Sequence, residues 1–258
     1  MKIAITGKGG VGKTTFTALL SAAWVKDKLR VIAIDADPSV NLGMALGFPN
    51  PEKIIQISEM AGLVEERTGA TPGLMGQIFK INPKVDDLPD KIAYEHNGIK
   101  LIVMGGIKIA GSGCACPGSA LIKGLIRHLL LECDEILIMD MEAGIEHLGR
   151  ATASAVDVML VVVEPSIKSI SVADRIKKLS GQIGIKNIYA VGNKIQTEKD
   201  KEFIRDNLKG MEVIGFLPYS SDIIRSDKLN ELVVSDDKIA EEINRIKLLL
   251  EKNAKNQA

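Results

Sequence analysis

The 258-residue sequence carries only three cysteines, two of them one residue apart. That is no disulfide framework, and the chain reads as a reduced, cytoplasmic protein. It has no excess of either charge: 33 Lys and Arg balance 33 Asp and Glu. A protein whose main task is to coat DNA or an anionic membrane is usually more basic, so the reading includes neither nucleic acid nor membrane as a partner. No apolar run approaches the ~18 residues of a membrane span. Met1-Lys2-Ile3-Ala4-Ile5-Thr6-Gly7 runs directly into structure without the pattern of a signal peptide. Internal repeats and low-complexity runs are also missing. The composition, 46% hydrophobic and 26% charged, is that of a folded chain. Its length suits a single large α/β domain over residues 1–258.

Short apolar runs alternate with amphipathic stretches along the chain. The expected strands are Lys2–Thr6, Arg30–Asp35, Ile99–Met104, Glu135–Asp140, Asp157–Glu164, Asn187–Asn193 and Glu212–Leu217. Each is rich in Ile, Val and Leu with little alternation, as in strands buried on both faces. The fold class is therefore α/β: a doubly wound, mostly parallel sheet of about seven to eight strands flanked by helices. Phe16, Leu19, Leu20, Ala23 and Trp24 form a helical stripe that packs on the sheet. Asn97-Gly98, between Ile92–Tyr94 and Ile99–Met104, signals a hairpin and one antiparallel edge strand. Residues 48–90 hold five of the nine prolines and read as an insertion with one or two short helices. Ile239, Ile243, Ile246 and Leu250 mark a docked terminal helix, since Glu241, Glu242 and Glu251 dilute the basic charge a membrane-targeting helix would need.

After the first strand, Gly7-Lys8-Gly9-Gly10-Val11-Gly12-Lys13-Thr14-Thr15 satisfies G-x-x-x-x-G-K-[ST] and opens the first helix. Glycines let backbone N–H groups turn inward around a β-phosphate, where the helix N-terminus adds its positive end. Lys13 would reach the β- and γ-phosphates, and the Thr14 hydroxyl would take a position on Mg²⁺. Gly9, Gly10, Val11, Gly12 and Thr15 complete the cradle for ATP or ADP. Asp140, ending an apolar strand, has the Walker B placement that holds Mg²⁺ through water, and residues 140–144 would form a switch sensing the γ-phosphate. Asp35 and Asp37 lie at the carboxyl end of the second strand, where ligands bind in open α/β sheets; Asp37 can orient the attacking water and join Thr14 and Asp140 on Mg²⁺, and Asp35 can help order the metal shell. An amide at Asn193 can offer both a donor and an acceptor to an adenine edge.

The second lysine of the loop, Lys8, makes it a deviant Walker A motif. Gly7–Thr15 thereby resembles the loop of the SIMIBI-class ATPases that include the nitrogenase iron protein, the MinD and ParA spatial regulators, and metal-centre maturation ATPases. The resemblance implies Mg-dependent ATP hydrolysis in an ATP-dependent homodimer, with Lys8 reaching across the interface to the partner's nucleotide. It makes Asp37 the residue on which hydrolysis depends. Asn193 and the loop after Leu217-Pro218 become the walls of the base pocket.

Cys114-Ala115-Cys116 offers two thiols that can point at one soft cation. One chain falls short of a closed four-sulfur shell, and two chains about a two-fold axis would supply four thiolates for Zn²⁺, Ni²⁺ or an iron–sulfur cluster. In the nitrogenase iron protein the second cluster ligand lies just past the Walker B aspartate; here His147 stands there, so that pattern is broken. Over most of the chain the sequence resembles the maturation ATPases of nickel carbon monoxide dehydrogenase (CooC type) and of acetyl-CoA synthase (AcsF type). The residues that carry this are Gly7–Thr15, Asp35–Pro38, the C-x-C loop, Asp140–Arg150 and Glu164-Pro165-Ser166. The implied function is nickel insertion into one of those apo-enzymes, with Ni²⁺ or Zn²⁺ at the dimer interface. A MinD/ParA-like organiser and an iron–sulfur electron-transfer ATPase are the alternatives. Cys133 reads as a buried structural thiol, His147 as a structural or capping residue, and His96 and His128 as solvated.

Overall fold

The computed structural model describes residues 1–74, 76–105, 116–144, 148, 150–223 and 236–255. Its sheet has eight strands: β1 (Lys2–Gly7), β2 (Val31–Ala36), β3 (Tyr94–His96), β4 (Ile99–Val103), β5 (Ile136–Met141), β6 (Val158–Val163), β7 (Ile188–Ile195) and β8 (Glu212–Pro218). They lie in the order β3-β4-β2-β5-β1-β6-β7-β8, all neighbours parallel except β3 and β4. Helices α1 (Lys13–Lys26), α2 (Leu42–Ala45), α3 (Ala61–Thr68), α4 (Leu88–Ile92), α5 (Pro117–Glu132), α6 (Arg150–Ala153), α7 (Ile167–Ile183), α8 (Glu198–Asn207) and α9 (Asp237–Lys255) connect and cover it.

The inner strands are mostly apolar because both faces are covered. Ile3, Ile5, Ile138, Val158, Leu160 and Val162 point to the face where α1 and α9 lie, joining Phe16, Leu20, Trp24, Ile243 and Ile246. Their neighbours along each strand, Ala4, Leu137, Met139, Met159, Val161 and Val163, point the other way, to Leu121, Leu125 and Leu129 of α5 and Ile170, Ala173 and Ile176 of α7. This is the period of two that a pleated strand imposes. The stripe Ile239, Ile243, Ile246 and Leu250 is fully covered. Each such side chain contributes about 1.5–3 kcal/mol on leaving water, enough to dock the polar helix α9. The Trp24 indole closes this contact by donating to Glu251 Oε1 at 2.9 Å.

Three expectations need correction. The hairpin partner is Tyr94–His96, not Ile92–Tyr94, and Ile92 ends α4. A two-residue turn pairs the residues flanking it, so His96 faces Ile99; Asn97 and Gly98 both take the positive φ, 48° and 78°, that such a turn demands. The insertion holds more than two elements: turns of 3₁₀ helix at Pro51–Lys53 and Ile57–Glu59 accompany α3 and α4. His96 and His128 are only partly solvated. His96 is half-buried against the Phe48 ring, centroids 5.2 Å apart, and His128 is half-buried beside Cys133. Cys133 is itself half-buried, and its pKa is raised by burial and then by Glu135.

Candidate nucleotide and metal site

β1 lies in the middle of the sheet, between β5 and β6, and delivers the glycine loop at the carboxyl edge where strand order reverses. The loop needs glycine at three places, of which Gly10, at φ 78°, needs it for backbone conformation alone. A Cβ on Gly7, at φ 147°, would collide with the Val162 carbonyl oxygen of β6. One on Gly12, at φ 94°, would collide with the Asn193 amide. Gly12 then caps α1, whose first residue, Lys13, is buried. Thr6, fully buried on β1, directs its hydroxyl to the carbonyl oxygens of Glu142 (2.8 Å) and Gly144 (3.1 Å), so the segment after β5 is tied to the strand that feeds the loop.

Asp140 sits in register with Ile5 of β1 and with Asp35 of β2. The Thr14 hydroxyl donates to Asp140 Oδ2 at 2.6 Å, while Asp140 Oδ1 is buried without a hydrogen-bond partner. Burial pushes the Asp140 carboxyl up to about 7, against the Thr14 hydrogen bond that lowers it; Asp35 raises it further and Lys13 opposes. A buried acceptor without a partner, next to a hydroxyl and a lysine, fits a hydrated divalent cation. Mg²⁺ carried by a nucleotide asks the protein for only one or two oxygens. Both oxygens of Asp35 hold backbone: Oδ1 accepts from the Asp37 N–H at 3.2 Å and Oδ2 from the Leu42 N–H at 2.9 Å. The carboxylate thus shapes the 37–42 loop. Burial raises its pKa to about 6, partly offset by the bonds from Leu42 and Asp37. Asp37 is half-buried, and its Oδ1 accepts from Ser39 N–H at 2.8 Å.

Asn193 ends up beside the loop, donating from Nδ2 to the Val11 carbonyl at 2.7 Å. A cleft of about 320 Å³ opens between Gly12, Thr15 and Phe16 on one side and Asn193, Pro218 and Tyr219 on the other. Both residues expected at the base thus face a cavity continuous with the phosphate loop. Lys8 does not extend outward: its ammonium meets Glu164 Oε1 at 3.0 Å. Glu164 Oε2 meets Lys194 at 3.2 Å, and Lys194 donates to the Gly10 carbonyl at 2.6 Å. Burial alone would raise the Glu164 pKa, but hydrogen bonds from Lys8 and Lys194 outweigh it and hold the carboxyl low. Glu164 and Lys194 were given no role in the sequence reading. The available signal was position: Glu164 follows β6 at the same sheet edge as Asp35 and Asp140.

Cys116 caps α5, with its Sγ accepting from Ser119 N–H at 3.4 Å and lying 3.0 Å from the Ser119 hydroxyl. It is exposed, one residue before the helix start, which falls at Pro117. It lines a cavity of about 580 Å³ with Pro38 and Glu59. Cys114 and His147 lie outside the described residues. Among the described residues no cluster of three or more Cys, His, Asp or Glu side chains could hold a metal ion. No described helix is long and apolar enough to cross a membrane.

Residues 2–233 match the family model of the CobQ/CobB/MinD/ParA nucleotide binding domain. The chain belongs to the CobQ/CobB/MinD/ParA family. This membership makes it a P-loop ATPase of the MinD/ParA type, a nucleotide-binding chain. It is 50% identical over 249 residues to an uncharacterised ATP-binding protein of Methanocaldococcus jannaschii, covering 95% of this chain and 96% of that one. It is 45% identical over 230 residues, 88% and 87% of the two chains, to the carbon monoxide dehydrogenase accessory protein CooC of Rhodospirillum rubrum. Among solved family structures, the MinC:MinD cell division complex of Aquifex aeolicus superposes with a TM-score of 0.70, at 25% identity and over 97% and 95% of the chains.

Proposed function

We propose that the protein is an ATP-dependent maturation factor that inserts nickel into carbon monoxide dehydrogenase or acetyl-CoA synthase. The observation that carries the reading is the 45% identity to a carbon monoxide dehydrogenase accessory protein across most of both chains. It is supported by the exposed Cys116 at the head of α5, in a cavity shared with Pro38 from the loop that begins at Asp35. Mg-ATP occupies the glycine loop, with Lys13 on the β/γ-phosphates and Thr14 and Asp140 holding the hydrated cation. Asp37 orients the attacking water. ATP favours a homodimer in which Lys8 reaches the partner's nucleotide, supplying charge as an arginine finger does. Pairing also brings Cys114 and Cys116 of two chains together as four thiolates, the set that a Ni²⁺ or Zn²⁺ cargo needs. Hydrolysis separates the pair and releases the metal.

Equilibrium dialysis against Ni²⁺ or Zn²⁺ under anaerobic conditions tests this. One tight metal per dimer is expected, lost from both chains when Cys114 or Cys116 becomes Ser, while ATP binding persists. Affinity should fall on acidification, since thiolates must be deprotonated to bind. One metal per monomer, or metal retained after both cysteines are replaced, overturns the shared site.

A further inference from the structure

The lysine that distinguishes this glycine loop is already occupied. Lys8 and Glu164 form a partly sheltered ion pair, their side chains 32% and 20% exposed, and the carboxylate is fixed from several sides. Glu164 ends the run of β6, the strand paired with β1, and its N–H donates to the Ser169 hydroxyl at 3.1 Å, within the first turn of α7. Its second oxygen holds Lys194, which in turn holds the Gly10 carbonyl of the loop. Three elements, the loop, the β6–α7 turn and the end of β7, are thus joined by one carboxylate carrying two lysines.

We infer that Glu164 is an intramolecular latch on Lys8, holding it within its own chain until nucleotide and a second copy compete for it. The inference rests on the proposed trans role of Lys8 and adds the group that regulates it. Reaching a phosphate bound to another chain draws the Lys8 ammonium away from Glu164 on its own chain, so each such departure breaks the 3.0 Å contact. Lys194 keeps the latch reversible. When Lys8 leaves, Glu164 retains one cation, and the cost of stranding a half-buried carboxylate is avoided. The latch therefore biases an equilibrium rather than blocking it. A ligand shifts a two-state equilibrium only by its differential affinity for the two states, so weakening the resting state lowers the nucleotide concentration needed to leave it.

The test is Glu164→Gln, which keeps size and hydrogen-bonding capacity while removing the charge that holds Lys8. Two quantities are measured on the full-length protein: the concentration of a non-hydrolysable ATP analogue giving half-maximal dimer, by analytical ultracentrifugation, and ADP affinity at protein concentrations where the chain is monomeric. The expected result is a three- to tenfold lower threshold for dimerisation, with ADP affinity within twofold of the parent. In a Lys8→Ala background, which forms no nucleotide-favoured dimer, the same change should restore none and should leave ADP affinity where Lys8→Ala puts it. A threshold that is unchanged or higher in Glu164→Gln removes the latch while leaving the trans role of Lys8 standing. An equal shift in ADP affinity also removes it, because Glu164 would then act on the loop through Lys194. If the parent forms no dimer with the analogue, the trans role fails and the latch fails with it.

Discussion

Asp140→Asn provides the sharpest test of the metal position, because it should stabilise the nucleotide-free protein while disabling it. Folding carries the Asp140 carboxyl from 3.8 up to about 7, chiefly by burial. At about 1.4 kcal/mol per pKa unit, keeping it ionised in the folded chain costs on the order of 4 kcal/mol above pH 7. The sign follows from proton binding. The folded state binds this proton more tightly than the unfolded state, so the carboxyl costs nothing below about pH 4, and stability is lost as pH rises through 7. Asparagine can still accept from Thr14, but its amide brings a buried donor to the place of Oδ1, at a cost of about 1–3 kcal/mol. The net gain at pH 8 is therefore about 1–3 kcal/mol, at roughly 2–4 °C in melting temperature per kcal/mol for a chain of this size. Thermal unfolding without nucleotide, at pH 8 and pH 4.5, should show the variant's advantage shrinking by about 3 kcal/mol on acidification. Mg-ATP should then raise the melting temperature of the parent far more than that of the variant. A variant that melts below the parent at pH 8, or one whose advantage does not depend on pH, would refute the buried-carboxylate argument.

Three further expectations concern the hydrolytic cycle. Lys13→Ala should abolish Mg-ATP hydrolysis, measured by phosphate release, because it strips charge from the β/γ-phosphates. Lys8→Ala should lose hydrolysis and the nucleotide-favoured dimer while still binding nucleotide, and parental turnover in Lys8→Ala removes the trans role. Asp37→Ala should bind ATP and run as a trapped dimer in size-exclusion chromatography; a variant that is monomeric with ATP, or fully active, contradicts the water-orienting role.

The strands and the glycine loop were legible because both rest on local rules. Strands buried on two faces must be apolar at every position, and a loop that wraps a phosphate needs glycine and lysine at fixed spacing. All seven expected strands are found within a residue or two, and the added eighth comes from Asn97-Gly98. The site was legible only where one residue type implies one task. Thr14 and Asp140 were assigned separately, from two motifs 126 residues apart, and meet at 2.6 Å. Asp35 and Asp37 take different tasks in the sequence reading, and the structure separates them further by the backbone N–H groups from which each accepts. The pairing of Glu164 with Lys8 and Lys194 escaped the sequence reading for a different reason. Their task comes from the pairing of β1 with β6 and β6 with β7, which places them over the loop, and no spacing along the chain encodes it.

The Thr6 hydroxyl carries a single hydrogen, yet two carbonyl oxygens, of Glu142 and Gly144, lie within its reach. They compete for it. A small slide of the 142–144 segment transfers the hydrogen from one oxygen to the other, and at no point is the buried hydroxyl left without an acceptor. Moving the segment therefore costs less than the net ~1 kcal/mol of a broken hydrogen bond. Replacement by valine would keep the shape of the side chain but leave the slide with no handover. Thr6 thus works as a two-stop bearing, on which the backbone beyond β5 can shift without the central strand having to move.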